Sequence, residues 1–253
     1  MERLASDVGA PVENGHGKMP KEIAERLEEQ LEYYRTRAPE YDLWAERQGP
    51  WARDPGIRKQ WFDEITLLEA ALDVFEPRGR ILEIACGTGA WTERLARHTN
   101  ELTAMDAAPE VLDINRARPH GENVEFIHAD IFSWTPTEKF DVIFFSFWLS
   151  HVPPALFDRF WEVVGQALVP GGRVFVIDNV PSEDADKVDP ELPGPDANSV
   201  VRKVTAGDAF RVFKVLYTPD ELEERVEPPG WDLHAKSTGS FFLYASGQQN
   251  IPD

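Results

Sequence analysis

Two glycines, one residue apart, end an apolar stretch of the chain that contains a single carboxylate. Residues 81–90 read ILEIACGTGA. A glycine has no Cβ, so it can adopt a positive φ and let a ligand approach the backbone closely. A buried carboxylate is costly without a partner, so Glu83 indicates a polar or cationic group nearby. The spacing predicts a strand that ends at a ligand-binding turn containing Gly87 and Gly89.

Two further carboxylates stand at the ends of the next two apolar runs. Asp106 ends the run 101–106, and Asp130 follows the run 124–128. Ligands of a doubly wound sheet bind beyond the carboxyl ends of its strands, where an acid in the position of Asp106 can accept both hydroxyls of a ribose. The acids at three successive strand ends therefore predict one nucleoside pocket.

The glycine turn lacks the third glycine of a dinucleotide-binding fingerprint. In that fingerprint the third glycine packs the helix on the strand, and the helix N-terminus faces a pyrophosphate. Thr92 occupies the third position, and Glu83 would repel phosphates. Glu83 is better suited to a cation, such as the ammonium of a methionine moiety. An NAD(P)-dependent oxidoreductase is the alternative.

The segment after the fourth predicted strand carries the candidates for chemistry on a second substrate. Residues 147–154 read FWLSHVPP. The unperturbed pKa of His151 suits a base near neutrality. Such a base contributes about 10²–10⁴-fold when the acceptor is a hydroxyl. The alternative is that His151 caps the following helix or bonds a backbone group.

Aromatic residues on both sides of the glycine turn are candidates for the acceptor pocket. We expect Trp44, Phe147 and Trp148 to line a pocket for a small apolar or aromatic molecule. The alternative is that these side chains belong to the core.

Metal and thiol chemistry have little support in the sequence. No cluster of His, Cys and carboxylate residues has the spacing of a metal site, so we predict none. The carboxylates of 183–196 offer oxygen ligands for a hard cation, but we expect a solvated acidic run. Cys86 is the only cysteine, which excludes an intrachain disulfide, and we expect it to be structural.

Strand-like and helix-like segments alternate from residue 77 onward, and these elements must position the candidate residues. The apolar runs are 80–85, 101–106, 124–128, 140–147 and 173–178, and the helical patterns are 91–97, 109–117 and 154–167. This order predicts a parallel, doubly wound α/β sheet covered on both faces. We further expect a strand at 210–217, a helix with a capping box at Thr218, and a strand or hairpin arm at 231–246.

The chain before the sheet divides into a leader and a helical cap. Residues 1–19 show no periodicity and are expected to be disordered. Apolar residues at helical spacing from Pro20, and a second helix start at Asp54-Pro55, predict an N-terminal helical cap over 20–76. The acidic, proline-rich insertion 181–207 is expected to be a surface loop or a lid over the substrate.

Taken in this order, the motifs resemble those of class I S-adenosylmethionine (SAM)-dependent methyltransferases. The resemblance covers most of residues 30–247 and rests on Glu83-x-x-Cys86-Gly87-Thr88-Gly89, Asp106, Asp130-Ile131 and the turn 168–173. It implies a seven-stranded Rossmann-like sheet with the last strand antiparallel, a SAM-binding domain over 77–247, and SAM as cofactor. Residues 34–42, YRTRAPEYD, are similar to the cap of ubiquinone- and menaquinone-type small-molecule methyltransferases. A departure is Ala108, where the family often has serine.

The resemblance also implies roles for individual residues. The two glycines would wrap the methionine part of SAM, Glu83 would order that neighbourhood, and Asp106 would bind the ribose. Asp130 and Ile131 would hold the adenine, while two tyrosines close over the cofactor. The predicted cofactor-binding set is Tyr34, Tyr41, Glu83, Ala85, Gly87, Gly89, Asp106, Ala107, Asp130, Ile131 and Ser146.

The composition limits the partners. The chain has 253 residues and a formal charge of −19. This excess of carboxylates repels a phosphate backbone, so we expect no nucleic-acid partner. The longest apolar stretch, near 142–149, is far shorter than the roughly 20 residues of a membrane helix. We therefore expect no membrane partner and a cytoplasmic location, and a homo-oligomer stays open.

We expect a SAM-dependent methyltransferase that acts on a small molecule, with oxygen preferred over nitrogen or carbon as the acceptor atom. The alternatives are a SAM-binding protein without catalysis and the oxidoreductase named above. The acceptor itself is not predicted, because specificity in this fold depends on the cap (about 20–62) and on the insertion.

Overall fold

The computed structural model describes residues 19–49, 54–183, 198–205 and 207–250. The predictions for the leader, apart from Met19, and for residues 184–197 of the acidic insertion lie outside these ranges.

Strands and helices alternate along the described chain as the sequence predicts. The strands are β1 (Arg80–Ile84), β2 (Glu101–Asp106), β3 (Val124–His128), β4 (Phe140–Ser146), β5 (Leu168–Asn179), β6 (Ser199–Lys203), β7 (Ala209–Phe213), β8 (Trp231–Ser237) and β9 (Phe242–Gln249). The helices are α1 (Lys21–Arg37), α2 (Tyr41–Ala45), α3 (Pro55–Phe75), α4 (Thr92–Leu95), α5 (Pro109–Arg116), α6 (Phe157–Ala167) and α7 (Pro219–Val226).

A seven-stranded sheet forms the centre of the fold, in the order β3-β2-β1-β4-β5-β9-β8. Strands β1 to β5 are parallel, and β9 runs antiparallel to both of its neighbours. The predicted Rossmann-like sheet with an antiparallel last strand is therefore confirmed. The chain leaves β1 toward one edge and returns to β4 on the other side, which opens a crevice at the carboxyl ends of these two strands.

The core lies on both faces of this sheet. Successive side chains of a strand point to opposite faces, and Phe144 and Phe145 of β4 accordingly belong to different clusters. Phe145 packs with Phe160 and Trp161 of α6, while Phe144 belongs to the cluster that contains Trp61 and Leu68 of α3. Burial on both faces explains the near-continuous apolar runs of the strands.

Two predicted helix starts have the expected caps. The Asp54 carboxylate accepts hydrogen bonds from the N–H groups of Gly56 and Ile57 at the start of α3. Thr218 and Glu221 form a reciprocal capping box at the start of α7. These caps satisfy backbone donors that have no partner within the helix.

The prediction of an irregular segment up to residue 207 is wrong at 199–203, which form β6. This strand pairs antiparallel with β7 in a separate two-stranded sheet. The sheet forms because Val200 and Val212 are buried against Tyr33 of α1. The strand predicted at 210–217 therefore ends at Phe213 and lies outside the main sheet. The predicted last strand is a hairpin of β8 and β9.

Strand β5 also begins earlier than predicted. It starts at Leu168, and its register against β4 shifts between Phe140 and Val142. Gly171 lies at this irregularity with φ of 76°, so the expected glycine turn forms a bulge within the strand.

No helix in the described ranges is long and apolar enough to span a bilayer.

Candidate functional site

A cavity of about 260 Å³ lies at the carboxyl ends of the parallel strands, lined also by residues of α1 and α2. Most of the predicted cofactor-binding set lines this cavity, namely Tyr34, Tyr41, Ala85, Gly87, Asp106, Ala107, Asp130, Ile131 and Ser146. Phe147 and Trp148 line it as well. Glu83 and Gly89 are not among its lining residues. The structure thus brings the three predicted strand ends to one site.

The turn after β1 exposes its backbone to the cavity. Ala85 adopts φ of 53° and Gly87 φ of 54°, a region that residues with a Cβ rarely occupy. No atom lies within 4 Å of the place where a Cβ of Gly87 would stand, so the ligand side of the turn is open. Phe147 also has a positive φ, 54°, where β4 ends. Strained backbone of this kind concentrates at ligand sites.

Asp106 is held by the backbone around it. Its two carboxylate oxygens each accept one N–H, from Gly87 at 2.9 Å and from Ala108 at 2.9 Å. A carboxylate oxygen has two lone pairs, so each oxygen keeps one acceptor site. Burial raises the pKa of Asp106, and these two bonds oppose that rise. The geometry fits a ligand that offers two neighbouring hydroxyls.

Glu83 and Gly89 contribute to a buried network beneath the turn. Glu83 Oε2 accepts from the Thr92 hydroxyl at 2.6 Å, and Asn115 donates from Nδ2 to the same hydroxyl oxygen at 3.0 Å and to the Gly87 carbonyl at 3.2 Å. A Cβ on Gly89 would overlap the Asn115 carboxamide. Burial raises the pKa of Glu83 to about 8. This network positions the turn from below.

Sequence reasoning missed Thr92 and Asn115 as part of this network. Thr92 lies on α4 and Asn115 on α5, and both side chains are fully buried. A polar residue on the apolar face of each helix was the sequence signal that could have identified them.

Asp130, Ile131 and Trp148 form another part of the cavity wall. Asp130 accepts the N–H of Phe132 at 2.9 Å, and burial raises its pKa. The Trp148 ring lies 6.2 Å from the Phe132 ring, and its buried Nε1 has no hydrogen-bond partner in the described part of the chain. Trp148, predicted for the acceptor pocket, thus lies with the residues predicted for adenine. Its unpaired indole N–H fits a heteroaromatic ligand with acceptor nitrogens.

The N-terminal cap contributes two tyrosines to the cavity and is tied to the glycine turn. The Asp42 carboxylate of α2 accepts from the Thr88 hydroxyl at 2.6 Å and from Arg118 at 2.6 Å. Burial raises the pKa of Tyr41 to about 12 and that of Tyr34 well above its usual range. Both phenols therefore stay protonated at neutral pH. Met19, which we assigned to the leader, also lines the cavity.

A second, smaller pocket of about 30 Å³ adjoins the cavity and shares Tyr34, Tyr41 and Phe147 with it. Its other lining residues are Tyr33, Arg37, Trp44, His151, Asn179, Arg202 and Lys214. Trp44 and Phe147, predicted to contact the acceptor, thus lie at this pocket together with His151. The sequence analysis missed the three cations, Arg37, Arg202 and Lys214, which come from distant parts of the chain.

His151 is held as a neutral imidazole. Its Nδ1 lies 2.6 Å from the Phe213 carbonyl oxygen. A carbonyl only accepts, which assigns the proton to Nδ1 and leaves Nε2 as the acceptor of the neutral ring. Burial lowers the pKa of His151 well below its usual range, and Lys214 lowers it further. His151 is therefore able to accept a proton or a hydrogen bond at neutral pH.

Lys214 is a buried cation that is fixed by its neighbours. It is 3% exposed, and its Nζ donates to Ser150 Oγ at 2.9 Å and to Asn179 Oδ1 at 3.0 Å. The Asp178 carboxylate lies 4.0 Å away. A buried ammonium needs such partners, so its position beside the pocket is well defined.

Metal and thiol candidates were also sought across the described ranges. They contain no group of three or more His, Cys, Asp or Glu side chains placed to hold a metal ion. Cys86 is buried, and burial raises its thiol pKa well above the usual range. The thiol is therefore protonated and not activated as a nucleophile.

Comparison with known proteins identifies a matching family and structural relatives that include DhpI. Residues 81–172 match the model of a methyltransferase domain. The structure of DhpI in complex with S-adenosylhomocysteine (SAH) is 33% identical in sequence, covers 90% of this chain and 98% of that chain, and superposes with a TM-score of 0.71. The DhpI–SAM–HEP complex is similar, with 34% identity, coverage of 88% and 97%, and the same TM-score.

Curated relatives match over shorter segments. A ubiquinone biosynthesis O-methyltransferase of Xylella fastidiosa is 37% identical over 38% of this chain and 40% of its own length. An indolepyruvate C-methyltransferase of Streptomyces griseus is 30% identical over 62% of this chain and 50% of its own length. The chain spans about half or less of the length of these curated relatives.

Proposed function

The chain belongs to the class I SAM-dependent methyltransferases, with SAM as cofactor, and from this premise we propose that it transfers a methyl group to an oxygen atom of a small molecule. One observation carries the proposal. The cavity with the predicted cofactor residues meets the pocket with His151 at three shared residues, Tyr34, Tyr41 and Phe147. A methyl donor in the cavity and an acceptor in the pocket would meet at that junction.

The residues of the cavity suit the parts of SAM. Asp106 offers two free lone pairs to the ribose hydroxyls, and the open face of Gly87 admits the methionine part. Asp130 accepts from the adenine amino group, while Ile131 and the Trp148 indole bind the purine. Tyr34 and Tyr41 cover the cofactor from the cap. Glu83 and Gly89 act from beneath, where they hold the glycine turn in shape.

When bound, SAM would supply an electrophilic methyl group whose leaving group is a neutral thioether. The chain would contribute alignment and exclusion of water, because Tyr34 and Tyr41 of the cap line both the cavity and the pocket. His151 Nε2 accepts the proton of an acceptor hydroxyl, while Nδ1–H stays bonded to the Phe213 carbonyl. The preference for oxygen rests on this base, since the relatives include both O- and C-methyltransferases.

His151→Asn tests the assignment. The Asn amide retains a donor for the Phe213 carbonyl but has no group at the position of Nε2. We expect kcat to fall by about 10²–10⁴-fold for hydroxyl acceptors, with the melting temperature little changed. His234→Asn, on β8, is the control and should leave kcat unchanged.

The pH dependence of activity is a second test of the proposed role of His151 as the base. Because its pKa is lowered, the wild-type kcat/KM should be flat from pH 8 down to 6.5 and fall only at more acidic pH, where the base becomes protonated. Full activity of His151→Asn toward hydroxyl acceptors would contradict the role of base and leave His151 as a structural residue.

A further inference from the structure

Three cations from distant parts of the chain surround the small pocket. Arg37 ends α1, Arg202 lies on β6, and Lys214 follows β7. Within the described ranges, no carboxylate side chain is among the residues that line this pocket, although the whole chain has 45 acidic and only 26 basic residues. The fold therefore concentrates positive charge at one point of an acidic protein.

We propose that the methyl acceptor carries an oxyanion, either a carboxylate or a phosphoryl group, which Arg37, Arg202 and Lys214 bind in this pocket. The inference rests on the proposed function, because it names the class of molecule that is methylated. It replaces the apolar acceptor that the sequence led us to expect.

The cations are held in place before a ligand arrives. Lys214 is fixed by Ser150 and Asn179, as described above. Arg37 donates to the Tyr33 hydroxyl, and its guanidinium carbon lies 5.4 Å from the centre of the Tyr41 ring and 5.7 Å from that of Trp44. Cation–π contacts and the hydrogen bond restrict its rotamers. Preorganised donors bind an anion without the full cost of ordering flexible side chains.

Their positive potential reaches the centre of the pocket. Lys214, Arg202 and Arg37 all contribute to the lowered pKa of His151. A guanidinium pairs with carboxylate or phosphate in a planar, bidentate geometry, and an ammonium acts as a point charge on the same groups.

The size of the pocket fits a compact group. Its volume is about 30 Å³, whereas one water needs roughly 10–15 Å³. Such a space accepts a small oxyanion but not an aromatic ring. The remainder of the acceptor would lie toward Trp44 and Phe147.

The test is a calorimetric titration of the SAH-saturated protein with inorganic phosphate and, separately, with acetate. We expect at least one of the two to bind, and the stronger one indicates a phosphoryl or a carboxylate acceptor. Arg202→Gln should weaken that binding at least 10-fold. Lys203→Gln is the matched control, because the adjacent side chain of β6 points to the opposite face of the strand, and it should bind as the wild type does.

Absence of binding by both anions, or equal affinity in Arg202→Gln and the wild type, would overturn the inference. Melting temperatures of both variants establish that they are folded. The titration needs no turnover, so the two proposals fail separately. Anion binding without methylation of any oxygen acceptor would contradict only the proposed function. Methylation of neutral alcohols without anion binding would contradict only the proposal that the acceptor carries an oxyanion.

Discussion

At the scale of single residues, Asp106 and His151 each use part of their hydrogen-bonding capacity for the backbone and keep an acceptor for a ligand. Asp106 uses one lone pair on each oxygen to fix the glycine turn and the start of α5, and one on each is left for a ligand. His151 uses Nδ1 to hold the Phe213 carbonyl and keeps Nε2. In the proposed site each side chain would have a structural and a functional role, because its bond to the backbone orients the other acceptor atom.

Asp106→Asn should weaken SAM binding about 10–100-fold. The amide nitrogen can no longer accept, so one ribose hydroxyl loses a charged acceptor, which is worth about 1.5–3 kcal/mol. Calorimetric titration with SAM measures the change. Asp113→Asn on α5 is the control, since that carboxylate is 75% exposed. Equal SAM affinity in Asp106→Asn and the wild type would refute the ribose assignment.

At residue scale the sequence was informative where chemistry leaves a positional signal. The carboxylates at strand ends and the glycines of the turn could be identified from the sequence, because strand boundaries can be predicted. The cations Arg202 and Lys214 could not be predicted. They reach the pocket because β6 pairs with β7, and this pairing depends on the tertiary fold. Trp148 lines the larger cavity with Asp130 and Ile131, a placement that depends on the direction of the chain after β4, where Phe147 has a positive φ.

At the scale of elements, a buried amide of the cap bonds two segments on the acceptor side. Gln30 of α1 accepts the N–H of Phe213 at 2.8 Å and donates to the His151 carbonyl at 3.2 Å. It therefore connects the helix that carries Tyr34 to the two segments that carry the predicted base and Lys214. Helix α1 also contacts β7 through Glu29, which accepts the N–H of Arg211 at 2.6 Å, and through Tyr33, which packs with Val212.

Gln30→Leu should destabilise the protein by about 1–3 kcal/mol, because it leaves a buried N–H and a buried carbonyl without partners. It should also raise the KM for SAM, since Tyr34 shares the same helix. Urea unfolding and initial rates measure the two effects. Glu32→Leu, an exposed position on α1, should change stability by less than about 0.5 kcal/mol. An unchanged midpoint for Gln30→Leu would contradict this link.

The order and type of the elements could be predicted, but their association could not. Helical periodicity and capping residues gave α1, α3 and α7, and apolar runs gave β1 to β5. The small sheet of β6 and β7 was missed, because the acidic, proline-rich composition around β6 is typical of a loop. Val200 becomes buried only where it packs against α1. Local pattern does not report a partner that is distant in sequence.

At the scale of the whole molecule, one buried carboxyl should dominate part of the pH dependence of stability. The pKa of Glu83 is about 8 in the folded protein, compared with an ordinary value of 4.5. Between these values the folded state retains a proton that the unfolded state has lost. The stabilising contribution is therefore complete below pH 4.5 and is lost as pH rises toward 8.

Glu83→Gln removes this titration, because the amide imitates the protonated acid. We expect the unfolding free energy of the variant, relative to wild type, to rise by at least about 1 kcal/mol between pH 5.5 and 8. Urea unfolding at several pH values without cofactor measures the difference. Glu93→Gln, on the exposed side of α4, should give no such trend. If the unfolding free energies of Glu83→Gln and wild type changed in parallel with pH, Glu83 would be ionised in the folded protein, contrary to this prediction.

The transfer of an isotopically labelled methyl group tests the central claim most directly. The protein would be incubated with SAM labelled with ¹³C in its methyl group and with small hydroxylated carboxylic and phosphonic acids, and the ¹³C spectrum would report the atom that bears the label. We predict an O-methyl product whose formation is strongly reduced in His151→Asn. Label found on nitrogen or carbon would contradict the oxygen acceptor, and label that stays on SAM with every acceptor would contradict methyl transfer itself.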